Sequence, residues 1–159
     1  MKQKLTNLAV GELVAVVVFW INFFLFKKLL ITTKSLISIS FSLFILSFIL
    51  IQGSIFWCIL IKRISKQGFA AKYTGKIYNK LKILDVILLC IGVPVIILNY
   101  SKFFTMVISF AIWIFAVIEW VNYYKLQLSY SFNPVVLLKY ILQRKLRKSK
   151  IANEIDKSI

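Results

Sequence analysis

The chain has 159 residues, 60% of them hydrophobic and only 16% charged, whereas a soluble domain carries roughly a quarter. Lys and Arg number 21 against five acids, with no His, a balance that would suit nucleic acid were the charges not set between apolar runs too long for a soluble core. Those runs exclude the soluble classes and predict an all-α membrane protein, a four-transmembrane-helix bundle.

A bilayer core needs about 20 apolar residues per helix, and four runs qualify. The first, residues 8–26 (LAVGELVAVVVFWINFFLF), follows a basic start but ends in FLFKK with no small-x-small cleavage site. It is expected to be an uncleaved anchor. The second, residues 36–61, carries Ser40, Ser47 and Ser54 at heptad spacing. Small hydroxyl residues let helices approach and bond to one another, so this stripe serves either packing within the bundle or self-association and partner docking. Between spans two and three, Tyr73, Ile77, Leu81 and Leu84 recur at helical spacing, and Thr74 or Gly75 can start a helix that runs into span three. The third span, residues 83–100, contains Pro94, which removes one helical hydrogen bond and predicts a kink. Only Ser101 and Lys102 separate it from the fourth, residues 103–124. Spans three and four therefore form a tight antiparallel hairpin. The transmembrane domain covers 1–126 and a tail covers 127–159.

Cytoplasmic loops are enriched in Lys and Arg. When the N-terminus, the loop between spans two and three, and the tail share one side, only Lys27, Lys28, Lys34 and Lys102 of the 21 basic residues lie on the other. This predicts a multi-pass plasma-membrane protein with cytoplasmic N- and C-termini, and argues against dual topology.

Span four ends in IEWVNYYKLQLSYSFNP. Trp120, Tyr123 and Tyr124 suit an interfacial aromatic belt. Glu119, Asn122 and Tyr123 share a helical face, which should point into the bundle rather than at hydrocarbon. Glu12 lies about one turn into span one and Asp85 in the first turn of span three, both from the same side. Glu12, Asp85, Glu119 and Asn122 thus fall in one polar layer, near Lys62 and Arg63 at the end of span two, with Gln52 somewhat deeper. Two readings stay open. The layer is structural, with Lys62 and Arg63 pairing the acids, or it is an ion or proton site, because burial and proximity raise the proton affinity of carboxylates.

In the tail, Asn133 and Pro134 read as an N-cap and first helical residue. Residues 134–148 follow as a basic amphipathic helix with Val135, Leu138, Leu142 and Leu146 on one stripe. Its Lys139, Arg144, Lys145, Arg147 and Lys148 are expected to contact the anionic inner leaflet.

The segment EWVNYYKLQLSY, with the later LRKSKIANEI, resembles the end of a group of small four-span integral membrane proteins of Gram-positive bacteria, marked by Glu–aromatic–x–Asn–Tyr and then Leu–Ser–Tyr. The resemblance covers the last third of the chain. It implies a four-span fold in a bacterial plasma membrane and no particular reaction. The Glu of AVGELVAV, in the first of four spans, is similar to that of the small multidrug transporters, in which such a Glu binds protons and cationic drugs. This chain departs from them in its greater length, its charge bias and its long basic central loop.

Enzyme chemistry finds no residues to carry it. There is no H-E-x-x-H and no phosphate-binding glycine loop, and Cys58 and Cys90 lack metal-ligand spacing. The expectation is a non-enzyme without metal or cofactor: a small integral membrane protein, accessory or immunity-type, acting through partners or the inner membrane surface. The alternative is an oligomeric proton- or cation-coupled transporter or channel using the carboxylate layer. Expected partners are the lipid bilayer with its anionic inner leaflet, and a second copy or another membrane protein, but no nucleic acid.

Overall fold

The computed structural model describes residues 2–29, 32–65, 71–126 and 148–156. Among these, four long helices form: α1 (Lys2–Phe26), α2 (Thr33–Ser65), α3 (Ala71–Leu98) and α4 (Phe103–Tyr124). A short fifth, α5, spans Lys150–Asp156. The four long helices are long and apolar enough to cross a membrane, and on that basis the chain is a membrane protein. The described residues contain no strand; Leu126 and Lys148 form one isolated bridge. The expected amphipathic helix at 134–148 lies outside the described residues except for Lys148.

The centre of the bundle is α2. Its apolar residues Ile45, Leu46, Ile49, Leu50 and Phe56 are buried, together with Trp57. Helices α1, α3 and α4 all pack on α2, and α3 also packs on α4. Helix α1 is held from one side only and leaves most of its length exposed. Its large exposed residues, such as Val14, Val17, Ile21 and Leu25, are apolar, as a lipid-facing surface requires. The bundle has a loop end, where α1 stops and α2 starts and where α3 stops and α4 starts, and a terminal end, where α1 starts and α4 stops.

The hydroxyl residues of α2 are divided between neighbours. Toward the loop end, Ser38 donates to Ser109 of α4 at 2.8 Å and Ser35 to Thr105 at 3.4 Å. Ser42 and Ser109 are completely buried. These small residues let α2 and α4 approach closely, and their hydroxyls find partners where lipid offers none. Farther along, Ser47 accepts from Trp20 Nε1 at 2.9 Å and Ser54 donates to the Ala9 carbonyl at 2.9 Å, both on α1. Of the heptad triplet, Ser40 alone turns away and bonds its own Ile37 carbonyl. The stripe is therefore used inside the bundle rather than as one outward docking face. At the loop end, Thr32 and Ser101 bond side chain to side chain at 2.8 Å and tie the two turns together.

Helix α3 differs from the span read off hydropathy. It begins at Ala71, twelve residues before the apolar run. The extra turns are held because Tyr78 and Thr74 are buried and meet α2: Tyr78 donates to the Gln52 carbonyl at 2.8 Å, and Thr74 accepts from Arg63 at 3.4 Å. It stops at Leu98, where both the backbone and side-chain nitrogens of Asn99 bond the Val95 carbonyl. Pro94 sits inside this last stretch, where its missing N–H already weakens the helix.

If the serine seam is internal, position decides tolerance. Ser38→Leu should cost about 1–3 kcal/mol through overpacking, while Ser40→Leu should stay within about 0.5 kcal/mol. Thermal unfolding of both variants in detergent checks this.

Candidate functional site

The polar residues of the terminal end sort into two groups on adjacent faces of α2. The first is centred on Gln52. Its Nε2 donates to Asp85 Oδ1 of α3 at 2.8 Å, and its Oε1 accepts from the Tyr124 hydroxyl of α4 at 2.7 Å. Asp85 is wholly buried and Gln52, Tyr78 and Tyr124 nearly so. One side-chain amide thus links three helices.

The second group begins at the next residue. Gly53 has no side chain, and a Cβ there would lie 2.6 Å from the Tyr123 hydroxyl and 2.8 Å from Glu12 Oε2. Glycine lets the Tyr123 ring and the Glu12 carboxylate press onto the α2 backbone. Trp57, one turn on, donates its indole N–H to Glu12 Oε1 at 2.8 Å. Glu119 accepts from Asn122 at 3.3 Å. Glu12, Glu119, Asn122 and Tyr123 all line a cleft of about 370 Å³ between α1 and α4, floored by Leu50 of α2. This cleft joins a larger cavity of about 530 Å³ at the terminal end, walled by Lys4, Asn7, Trp57 and the start of α5.

Gln52 and Gly53 are consecutive, about 1.5 Å apart along the axis. Asp85 and Glu12 therefore lie at nearly one depth, but around α2 from each other. The structure brings Glu12, Glu119, Asn122 and Tyr123 to one cleft and gives Asp85 a separate network.

The basic end of span two does not pair with these acids. Lys62 is exposed. Arg63 instead forms a 2.9 Å ion pair with Glu154 of α5. Among the described residues, neither Glu12 nor Glu119 has a basic group at ion-pair distance. The aromatic residues also differ from a simple belt. Tyr123 and Tyr124 are buried, and their hydroxyls serve the interior. Trp120 lies against Tyr124, with the Lys125 ammonium 5.5 Å above its ring.

Helix α5 closes the terminal end. Ser149 donates its hydroxyl to the Tyr123 carbonyl and its N–H to the Lys125 carbonyl, and its Oγ caps Ala152 N–H at 3.0 Å. Ile151, Ala152 and Ile155 are buried against α3 and α4. Each Ile contributes about 1.5–3 kcal/mol of burial. Lys150 lies 5.6 Å over the Trp57 ring, and Lys148 pairs with Asp156. The sequence signal was available: a capping Ser149 before an Ile151–Ile155 pair at i, i+4, with Glu154 on the face that meets Arg63. Lys139, Arg144, Lys145 and Arg147 lie outside the described residues.

Among the described residues, no cluster of three or more His, Cys, Asp or Glu is placed to hold a metal ion. No family model, curated protein or solved structure matches the chain.

Gly53 offers the sharpest local test. Gly53→Val should drive Tyr123 and Glu12 off the α2 backbone and destabilise the protein by about 1–3 kcal/mol. Gly11→Val, with nothing within 4 Å of its Cβ position, should be neutral. The unfolding midpoints of the two variants make the comparison.

Proposed function

We propose that this chain is a small non-catalytic plasma-membrane protein of the accessory or immunity type, with both termini in the cytoplasm, acting through partners and the inner membrane surface. The observation that carries the reading is the use of its polar groups. Gln52, Asp85, Tyr78, Tyr124 and the seam of hydroxyls are spent in fastening helices, and the described residues hold no assembled nucleophile, base and acid. The charge distribution supports this orientation, since the basic residues concentrate on the side of the two termini. The stretch from 127 to 147 carries Lys139, Arg144, Lys145 and Arg147 without a single acid, a composition suited to anionic lipid.

A second reading has one observation in its favour. Glu12 and Glu119 line the same cleft, where a proton- or cation-coupled carrier would hold its ion, with no basic partner among the described residues.

Two measurements separate these readings. Reporter fusions at Lys34 and Lys102 should read outside, and fusions at Gln67 and Ser158 inside; an outside signal at Ser158 overturns the orientation. Purified protein in vesicles should pass protons and potassium no faster than empty vesicles. A flux that disappears in Glu12→Gln would put the carrier in place of the accessory protein.

A further inference from the structure

We propose that the cleft between α1 and α4 is the docking groove for a transmembrane helix of another protein, one that carries a Lys or Arg within its span. The inference deepens the partner-binding reading above. The flux and topology measurements test that reading without the probe used here, so the two can fail separately.

The groove has the dimensions of a helix face. It runs from Asn7 to Phe19 along α1, about 18 Å or three turns. Beyond Phe19 and Phe115 it continues into a shallow apolar slot against Leu46 and Ala111. Both walls rest on α2, and the Phe19 and Phe115 rings meet across the gap between them, their centroids 6.2 Å apart.

The α1 wall is built for close approach. Gly11 and Ala15, four residues apart and so on one face, both line the groove. Nothing lies within 4 Å of the position a Cβ on Gly11 would take. A small-xxx-small pair is how membrane helices bring their backbones together. Here that surface is left open, while the hydroxyl seam on α2 is consumed inside the bundle.

Charge then selects the occupant. Glu12 and Glu119 face the groove at membrane depth, and neither is ion-paired among the described residues. Carboxylates in a span are costly unless a partner compensates them. The spans of a second copy offer no such group, because residues 5–26, 35–61, 83–98 and 103–124 contain no Lys or Arg. Acyl chains fill the apolar slot but bring no fixed cation to the carboxylates. A basic residue on a foreign helix does. Its ammonium or guanidinium meets Glu12 and Glu119 while its backbone lies against Gly11 and Ala15.

The test uses the full chain in phospholipid vesicles with a fluorescent donor fused at its C-terminus. The probes are acceptor-labelled 24-residue Leu–Ala helices, identical except for one residue, Lys or Gln, set at the depth of Glu12. The Lys probe should associate about tenfold more tightly than the Gln probe. That advantage should disappear in the Glu12→Gln, Glu119→Gln double variant, and Gly11→Leu should weaken both probes. Moving the Lys to the middle of the probe should also remove the advantage, a control on the unmodified protein that does not depend on how the variants fold. Equal binding of the two probes overturns the proposal, as does a Lys preference that survives in the double variant. So does the absence of association by either probe, which would leave lipid as the occupant.

Discussion

The side chain of Gln52 faces a problem that water would solve and a bilayer does not. A buried carboxylate on α3 and a buried phenol on α4 both need a hydrogen-bonding partner at the same level, and hydrocarbon supplies none. The Gln52 amide donates to Asp85 Oδ1 and accepts from Tyr124, so one side chain serves both, while Asp85 Oδ2 keeps no hydrogen-bond partner among the described residues. Its backbone carbonyl meets a third group, Tyr78. The placement of α3 and α4 around α2 depends on this arrangement. It also fixes the adjacent face of α2, because the residue after Gln52 is the glycine that admits Tyr123 and Glu12.

The two ends of the bundle are held by different means. Toward the loop end, small hydroxyl residues bring α2 and α4 together, and each such bond contributes little, on the order of 0.6 kcal/mol in membrane proteins. At the terminal end the contacts are larger and more varied: an amide hub, an indole bonded to a carboxylate, and a short helix clamped by Arg63–Glu154. Helix α1 takes part through Ala9, Glu12 and Trp20 and rests mainly on α2, meeting α4 where Phe19 lies against Phe115. The cleft beside α4 is where Glu12 and Glu119 gather, without a basic partner among the described residues.

Run length and hydropathy made the four helices legible, because the bilayer sets a minimum that soluble helices rarely meet. The fourth helix follows its apolar run from Phe103 to Tyr124. The third starts well before its apolar run, at Ala71, and it was the helical spacing of Tyr73, Ile77, Leu81 and Leu84 rather than hydropathy that pointed to a helix running into the span from Thr74 or Gly75. Helical spacing put Glu119, Asn122 and Tyr123 on one face, which the cleft displays. Spacing says nothing of which neighbour a face meets, so the separation of Asp85 from Glu12 was out of reach. For the same reason Arg63 was assigned to the membrane acids, when its partner Glu154 is 91 residues away. Tyr124 was read as interfacial by residue type, whereas its burial follows from its bond to Gln52; Tyr123 was read both as interfacial and as part of the inward face, and Gly53 admits it inward.

The claim that one amide organises the terminal end is tested most directly by a double-mutant cycle on Gln52 and Asp85, read as unfolding free energy in detergent. Gln52→Leu alone strands Asp85 and should cost about 1–3 kcal/mol. If the two residues act as a unit, adding Asp85→Leu should cost less than it does in the parent, with a coupling of about 1 kcal/mol or more. Costs that simply add would contradict the account.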